Sequence, residues 1–105
     1  MLDKKKHRVV IISETAKENF KKILEETKEG FGDKAVLKLI SRFEGFINII
    51  SYQLYLFGYY LRSRNIRKFI LTKSHLVLYK PKRKEIEIIA IVYQKQNPGS
   101  IRRKI

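Results

Sequence analysis

Two hydrophobic periods follow one another in this chain, and their order restricts the fold more than any other feature. Val36, Ile40, Phe43, Ile47 and Ile50 recur alternately four and three positions apart, which places them on one face of a helix, with Leu37, Leu39 and Phe46 widening the stripe. Upstream, Ala16, Phe20, Ile23 and Leu24 share a helical face from which Lys17, Lys21, Lys22, Glu25 and Glu26 are excluded. Beyond residue 66 the period shortens. Residues 67–72, 75–80 and 86–93 are apolar, largely β-branched runs, and they read as strands joined by turns at Lys73-Ser74 and at 81–84. Residues 8–12, Arg-Val-Val-Ile-Ile, read as a first short strand.

The punctuation agrees with this division. Ser13 is placed to accept amide protons at the start of the first helix, with Thr15-x-x-Glu18 as a competing capping box. Gly30 and Gly32 are expected to end that helix and Asp33 to cap the second. Residues 52–66 are irregular and aromatic, and the expectation is a connection that packs Leu54, Leu56 and Phe57 beneath the helices. The near-continuous apolar run 86–93 suggests a central strand covered on both faces, ended by Asn97-Pro98-Gly99. The predicted class is α+β: an N-terminal strand, an α-helical hairpin, then a three-stranded antiparallel meander, in the order β-α-α-β-β-β. A chain of 105 residues supports one core, so a single domain over 1–105 is expected, with basic, flexible ends at 1–7 and 99–105.

Charge divides the chain differently. Residues 1–44 carry 11 Lys and Arg against 8 Asp and Glu, whereas residues 45–105 carry 13 against 2. Between Glu44 and Glu85 there is no acidic residue, while Arg62, Arg64, Arg67, Lys68, Lys73, Lys80, Lys82, Arg83 and Lys84 accumulate. The formal net charge is +14. One-sided charge of this kind attracts polyanions: nucleic acid, an anionic lipid surface or an acidic protein.

Several chemistries are excluded. Without cysteine there is no disulfide framework, thiolate metal site or thiol nucleophile, which suits a reducing compartment. Two distant histidines and few acids after Glu44 offer no metal site, and the five glycines form no phosphate-binding motif, so no cofactor is expected. The uncharged stretch from Gly45 to Leu61 contains Asn48, Ser51, Gln53, four tyrosines and two glycines, too polar for a membrane span. The apolar run Val9 to Ile12 is too short for a secretory signal, and a cytoplasmic protein is expected. His75, at the start of a strand, and His7, in a basic run, read as edge residues rather than catalysts. Glu85 and Glu87 read as cross-strand partners of lysines, and Tyr79 as packing.

Three segments resemble the RelE/ParE superfamily of type II toxin-antitoxin toxins, also described as plasmid stabilisation proteins. They are Val10-Ile-Ile-Ser-Glu-Thr-Ala16, residues 66–80 (Ile-Arg-Lys-Phe-Ile-Leu-Thr-Lys-Ser-His-Leu-Val-Leu-Tyr-Lys), and residues 86–98 (Ile-Glu-Ile-Ile-Ala-Ile-Val-Tyr-Gln-Lys-Gln-Asn-Pro). The resemblance implies a growth-arresting toxin neutralised by a cognate antitoxin, with either DNA gyrase (ParE-like) or ribosome-bound mRNA (RelE-like) as target. Carried over by position, Arg67, Lys68 and Tyr93 are the candidates for catalysis in the RelE-like case. Phe69 and Leu76 stand where further basic residues of that branch are expected, so the cluster is incomplete and a ParE-like toxin acting by binding is favoured. Arg62, Arg64, Arg67, Lys68, Lys73, Lys80 and Lys95 are the expected contacts to target or antitoxin. The antitoxin should be acidic and partly disordered, folding onto apolar grooves and masking the basic surface. A non-toxic nucleic-acid-binding module is the reading from a different class.

Overall fold

The computed structural model describes residues 7–94; Lys95, the expected flexible end 99–105 and all but His7 of the expected flexible end 1–7 lie outside them. Strand β1 (Val9–Ile12) leads into helices α1 (Glu14–Phe31) and α2 (Asp33–Tyr52), followed by β2 (Tyr59–Leu61), a 3-10 turn (Arg62–Arg64), β3 (Ile66–Thr72), β4 (His75–Pro81) and β5 (Glu85–Tyr93). The strands form one sheet in the order β1-β5-β4-β3-β2. β1 runs parallel to β5, and the other neighbours are antiparallel. The expected α+β order is present, with one strand more than the sequence indicates. β2 and the 3-10 turn occupy the segment expected to be an irregular connection.

Each helix boundary has a local cause. Ser13 caps α1, its hydroxyl accepting from the Ala16 amide at 3.0 Å, so the Thr15–Glu18 box is not used. Gly30 lies inside α1, and the helix stops only at Gly32, whose φ of 89° suits a residue without Cβ. That one residue links the two helices, and it, rather than Asp33, is the N-cap of α2. Asp33 is the first helical residue, where its charge complements the helix dipole.

The hairpin covers one face of the sheet. Leu39, Phe43, Phe46 and Ile50 of α2 and Ala16 and Ile23 of α1 are buried against Leu71, Val77, Tyr79, Ile86, Ile88 and Ile91. Leu37 instead points outward, 66% exposed. Leu54 is buried and Phe57 packs on the core, as the aromatic connection suggests, but Leu56 is exposed. β4 rather than β5 is the middle strand, with Leu76 to Tyr79 all buried. Alternation puts Val9, Ile11, Lys68, Ile70, Leu76 and Leu78 on the sheet face away from the helices.

β5 carries a bulge where the register to β4 jumps from Leu78↔Ala90 to Tyr79↔Ile88, leaving Ile89 as the extra residue. α1 takes up the backbone groups around it. The Ser13 hydroxyl donates to the Ile89 carbonyl at 2.7 Å, and the Asn19 side-chain oxygen accepts from the Ile91 amide at 2.9 Å. Arg42 does the same for α2: its guanidinium donates to the Ile70 and Leu71 carbonyls at 2.8 Å and stacks 5.0 Å from the Phe69 ring centre.

Tyr79 is fully buried, its hydroxyl donating to the Leu54 carbonyl at 3.0 Å. Burial pushes that hydroxyl up to about 12, opposed in part by the nearby Arg67 charge. A folded pKa above the unfolded value of 10.0 favours the protonated ring in the folded state. The resulting stability is present below pH 10 and lost as pH rises towards about 12. Tyr79→Phe is expected to cost about 1 kcal/mol at neutral pH and to abolish this part of the alkaline loss. Urea unfolding of both proteins at neutral and strongly alkaline pH measures it.

Candidate functional site

Four separate stretches of chain meet at the end of the sheet where β1 and β5 begin and β4 finishes. The parallel ladder sets Val9 beside Glu85, so Arg8 reaches the β4–β5 turn, where its Nε lies 3.5 Å from the Arg83 carbonyl. The Arg8 amide also donates to the Ser51 carbonyl at 2.9 Å, tying this corner to the end of α2. Asn65 adopts the left-handed conformation at φ 57°, which asparagine tolerates. Its side chain donates to the Pro81 carbonyl at 3.3 Å, and this holds the 3-10 turn bearing Arg62 and Arg64 against the same edge.

A cationic rim results. His7, Arg8, Arg83 and Lys84 line a depression of about 300 Å³, with Arg62 and Arg64 farther along. Acids lie close by, among them Glu44, which lines a neighbouring depression with His7 and Arg8. Glu87 pairs across the ladder with Lys80 and accepts from Lys82 Nζ at 2.9 Å, which raises the lysine's affinity for its proton, chiefly through that hydrogen bond. Glu85 is another. Tyrosines flank the rim. Arg62 stacks over Tyr59 at 4.7 Å, and Tyr52 meets the His7 ring edge-on at 5.0 Å.

Arg67 behaves differently from its charged neighbours. Its Nη1 donates to the Phe57 carbonyl at 2.6 Å and to that of Tyr55 at 3.4 Å. Its guanidinium lies 4.2 Å from the Tyr59 ring centre and 5.0 Å from that of Tyr55. The buried Nε has no partner among the described residues. Arg67 thus clamps the 55–59 segment with one terminal nitrogen and its flat face.

The residues singled out in the sequence are therefore divided. Arg62, Arg64 and Lys80 stand at or near the rim, and Arg67 lies beneath the tyrosines next to it. Lys68, the next residue on β3, faces the opposite side of the sheet by alternation. Lys73 occupies the β3–β4 turn at the far end, and Lys95 lies outside the described residues. Tyr93 is not near Arg67 either. It pairs with His75, whereas Arg67 pairs with Tyr79, four residues or about 13 Å along β4. Arg67, Lys68 and Tyr93 do not converge on one point. Arg8, Arg83 and Lys84 belong to the rim without having been singled out as contacts. Arg83 and Lys84 lie in the acid-free run, but no local signal marks Arg8, whose position depends on the β1–β5 ladder.

The far end of the sheet holds a second cleft, about 410 Å³, lined in part by Lys22, Glu26, Ser74, His75 and Tyr93. It adjoins an apolar groove of about 500 Å³ that includes Ile23, Phe31, Leu39 and Leu71. His75 Nδ1 is 2.8 Å from the Thr72 hydroxyl. Burial lowers the imidazole pKa from 6.5, opposed by Glu26. The folded state therefore favours neutral His75, and stability contributed by this site is lost as pH falls below 6.5 through the lowered value. An NMR titration should place the His75 midpoint below 6.5, and Glu26→Gln should move it lower still. No group of three or more potential metal ligands occurs among the described residues, and no helix there is long and apolar enough to cross a membrane.

The fold is a helical hairpin laid across one face of a mixed five-stranded sheet, with β1 parallel to β5. It is similar to a solved structure described as a chromosomal ParDE TA system from P. aeruginosa, with a TM-score of 0.70 over 85% of this chain and 98% of that chain. Their sequence identity is 15%, so the likeness establishes the fold. No protein-family model and no curated protein matches the sequence.

Proposed function

We propose that this protein is the growth-arresting toxin of a type II toxin-antitoxin pair, acting in the cytoplasm and held inactive by an acidic antitoxin. The observation that carries this reading is the near-complete overlap of its fold with a chain of the ParDE system. Within that reading, ParE-like action on DNA gyrase by binding is favoured. Arg67 spends its guanidinium on the Phe57 carbonyl and two tyrosine rings, and Lys68 and Tyr93 lie on other surfaces, so the RelE-like cluster lacks a common centre. Binding needs no such centre. The cationic rim supplies long-range attraction to an acidic partner or to a gyrase–DNA complex.

Induced expression without a partner should stop growth. Purified protein should inhibit gyrase supercoiling and leave mRNA intact in a translating extract. mRNA cleavage that is lost in Tyr93→Phe, with supercoiling unaffected, would replace the gyrase reading with a ribosome-dependent endoribonuclease. Normal growth on induction would remove the toxin reading altogether.

A further inference from the structure

We propose that the cationic rim and the tyrosines beside it form a binding track for single-stranded nucleic acid, with phosphates on Arg8, Arg62, Arg64 and Arg83 and bases on Tyr55 and Tyr60. This does not depend on toxicity. The charges come from the start of β1, the 3-10 turn and the β4–β5 turn, and the fold alone makes them neighbours. They extend across a sheet of five strands, a width of about 19 Å at ~4.8 Å per strand. Glu87 is already engaged by Lys82, which leaves Glu85 and, beside His7 and Arg8, Glu44 as the acids set against them among the described residues.

The rings separate a single strand from other polyanions. Tyr55 is 63% exposed and Tyr60 50%, a large apolar area to leave in water immediately beside charge. Arg67 holds the Tyr55 carbonyl and stacks against the rings of Tyr55 and Tyr59, so the Tyr55 half of the platform is ordered before a ligand arrives. A single strand uses both features, its phosphates on the cations and its unstacked bases on the rings. A duplex hides its base faces. An acidic polypeptide satisfies the charges but gives the rings no partner of matching shape.

The test is fluorescence anisotropy of the full chain with a short labelled oligothymidylate, a duplex of the same length and poly-L-glutamate. Oligothymidylate should bind most tightly, with an affinity that falls as salt rises. Tyr55→Ala and Tyr60→Ala should each weaken it about fivefold or more without changing the salt slope, whereas Arg62→Ala and Arg83→Ala should make the slope shallower. Both tyrosine variants leave every charge of the chain in place, so they decide the matter. Tyr60 takes no part in the Arg67 stack, and its variant remains informative if Tyr55→Ala loosens the loop. Oligothymidylate binding that is absent, unaffected by both tyrosine variants, or matched by the duplex or poly-L-glutamate would overturn the proposal.

Discussion

Phe46→Ala is expected to cost about 3–5 kcal/mol, a large part of the roughly 5–15 kcal/mol that stabilises a domain of this size. Phe46 is 1% exposed and stands where α2, the sheet and the aromatic connection meet. Its ring stacks on Phe69 at 4.3 Å and 15°, meets Tyr79 edge-on at 5.5 Å, and lies 5.9 Å from Phe57 and 6.3 Å from Phe43. Truncation removes both the buried area and four aromatic contacts, and the two surrounding layers cannot close the void without moving the helix from the strands. Urea denaturation measures the loss. A cost near that of exposed Leu37→Ala, expected within about 0.5 kcal/mol of zero, would mean that the helices do not lie on the sheet in this way.

Arg67→Ala should be the next most damaging change, at about 2–3 kcal/mol, because it removes hydrogen bonds from a charged donor and stacking on two rings together. Arg67→Lys is the more discriminating variant. A lysine keeps the charge and can donate from its one nitrogen, but it has no flat face for the two tyrosine rings. If the clamp is the residue's role, lysine should recover less than half of the lost stability, and amide resonances of 55–59 should shift in both variants. Wild-type stability in Arg67→Lys would show that charge alone matters there.

The helices were legible because their apolar spacing is regular over many turns. Periodicity marks a face but not its centre. The stripe begins at Val36 and Ile40, yet the deepest positions are Leu39, Phe43, Phe46 and Ile50, because the sheet lies to the Leu39 and Phe46 side, and Leu37 falls outside it. β2 could not be read. It is three residues long with a register shift against β3, too short for alternation to show, and only its ladder to β3 defines it. The bulge at Ile89 similarly turns an apolar run that suggests a strand covered on both faces into one whose side chains change face partway along.

Part of the candidate site was legible for a simple reason: the acid-free run contains Arg62, Arg64, Lys80 and Arg83. What the run cannot reveal is which end of the sheet each cation reaches. Successive hairpin turns lie at opposite ends, so Lys73 is separated from Lys80 although both belong to the same stretch. Arg8 joins the rim across 75 residues of sequence. Its membership follows from a parallel ladder, which composition does not encode.

That ladder also has a consequence for synthesis. Val9–Ile12 finds its partners only at 85–88, and the Ser13 and Asn19 side chains bond to backbone groups of residues 89 and 91. A nascent chain interrupted before β5 has neither a closed sheet nor a seat for the beginning of α1. Native assembly therefore waits until the last strand has left the ribosome tunnel, and chains halted earlier should be degraded rather than accumulate as partly working protein.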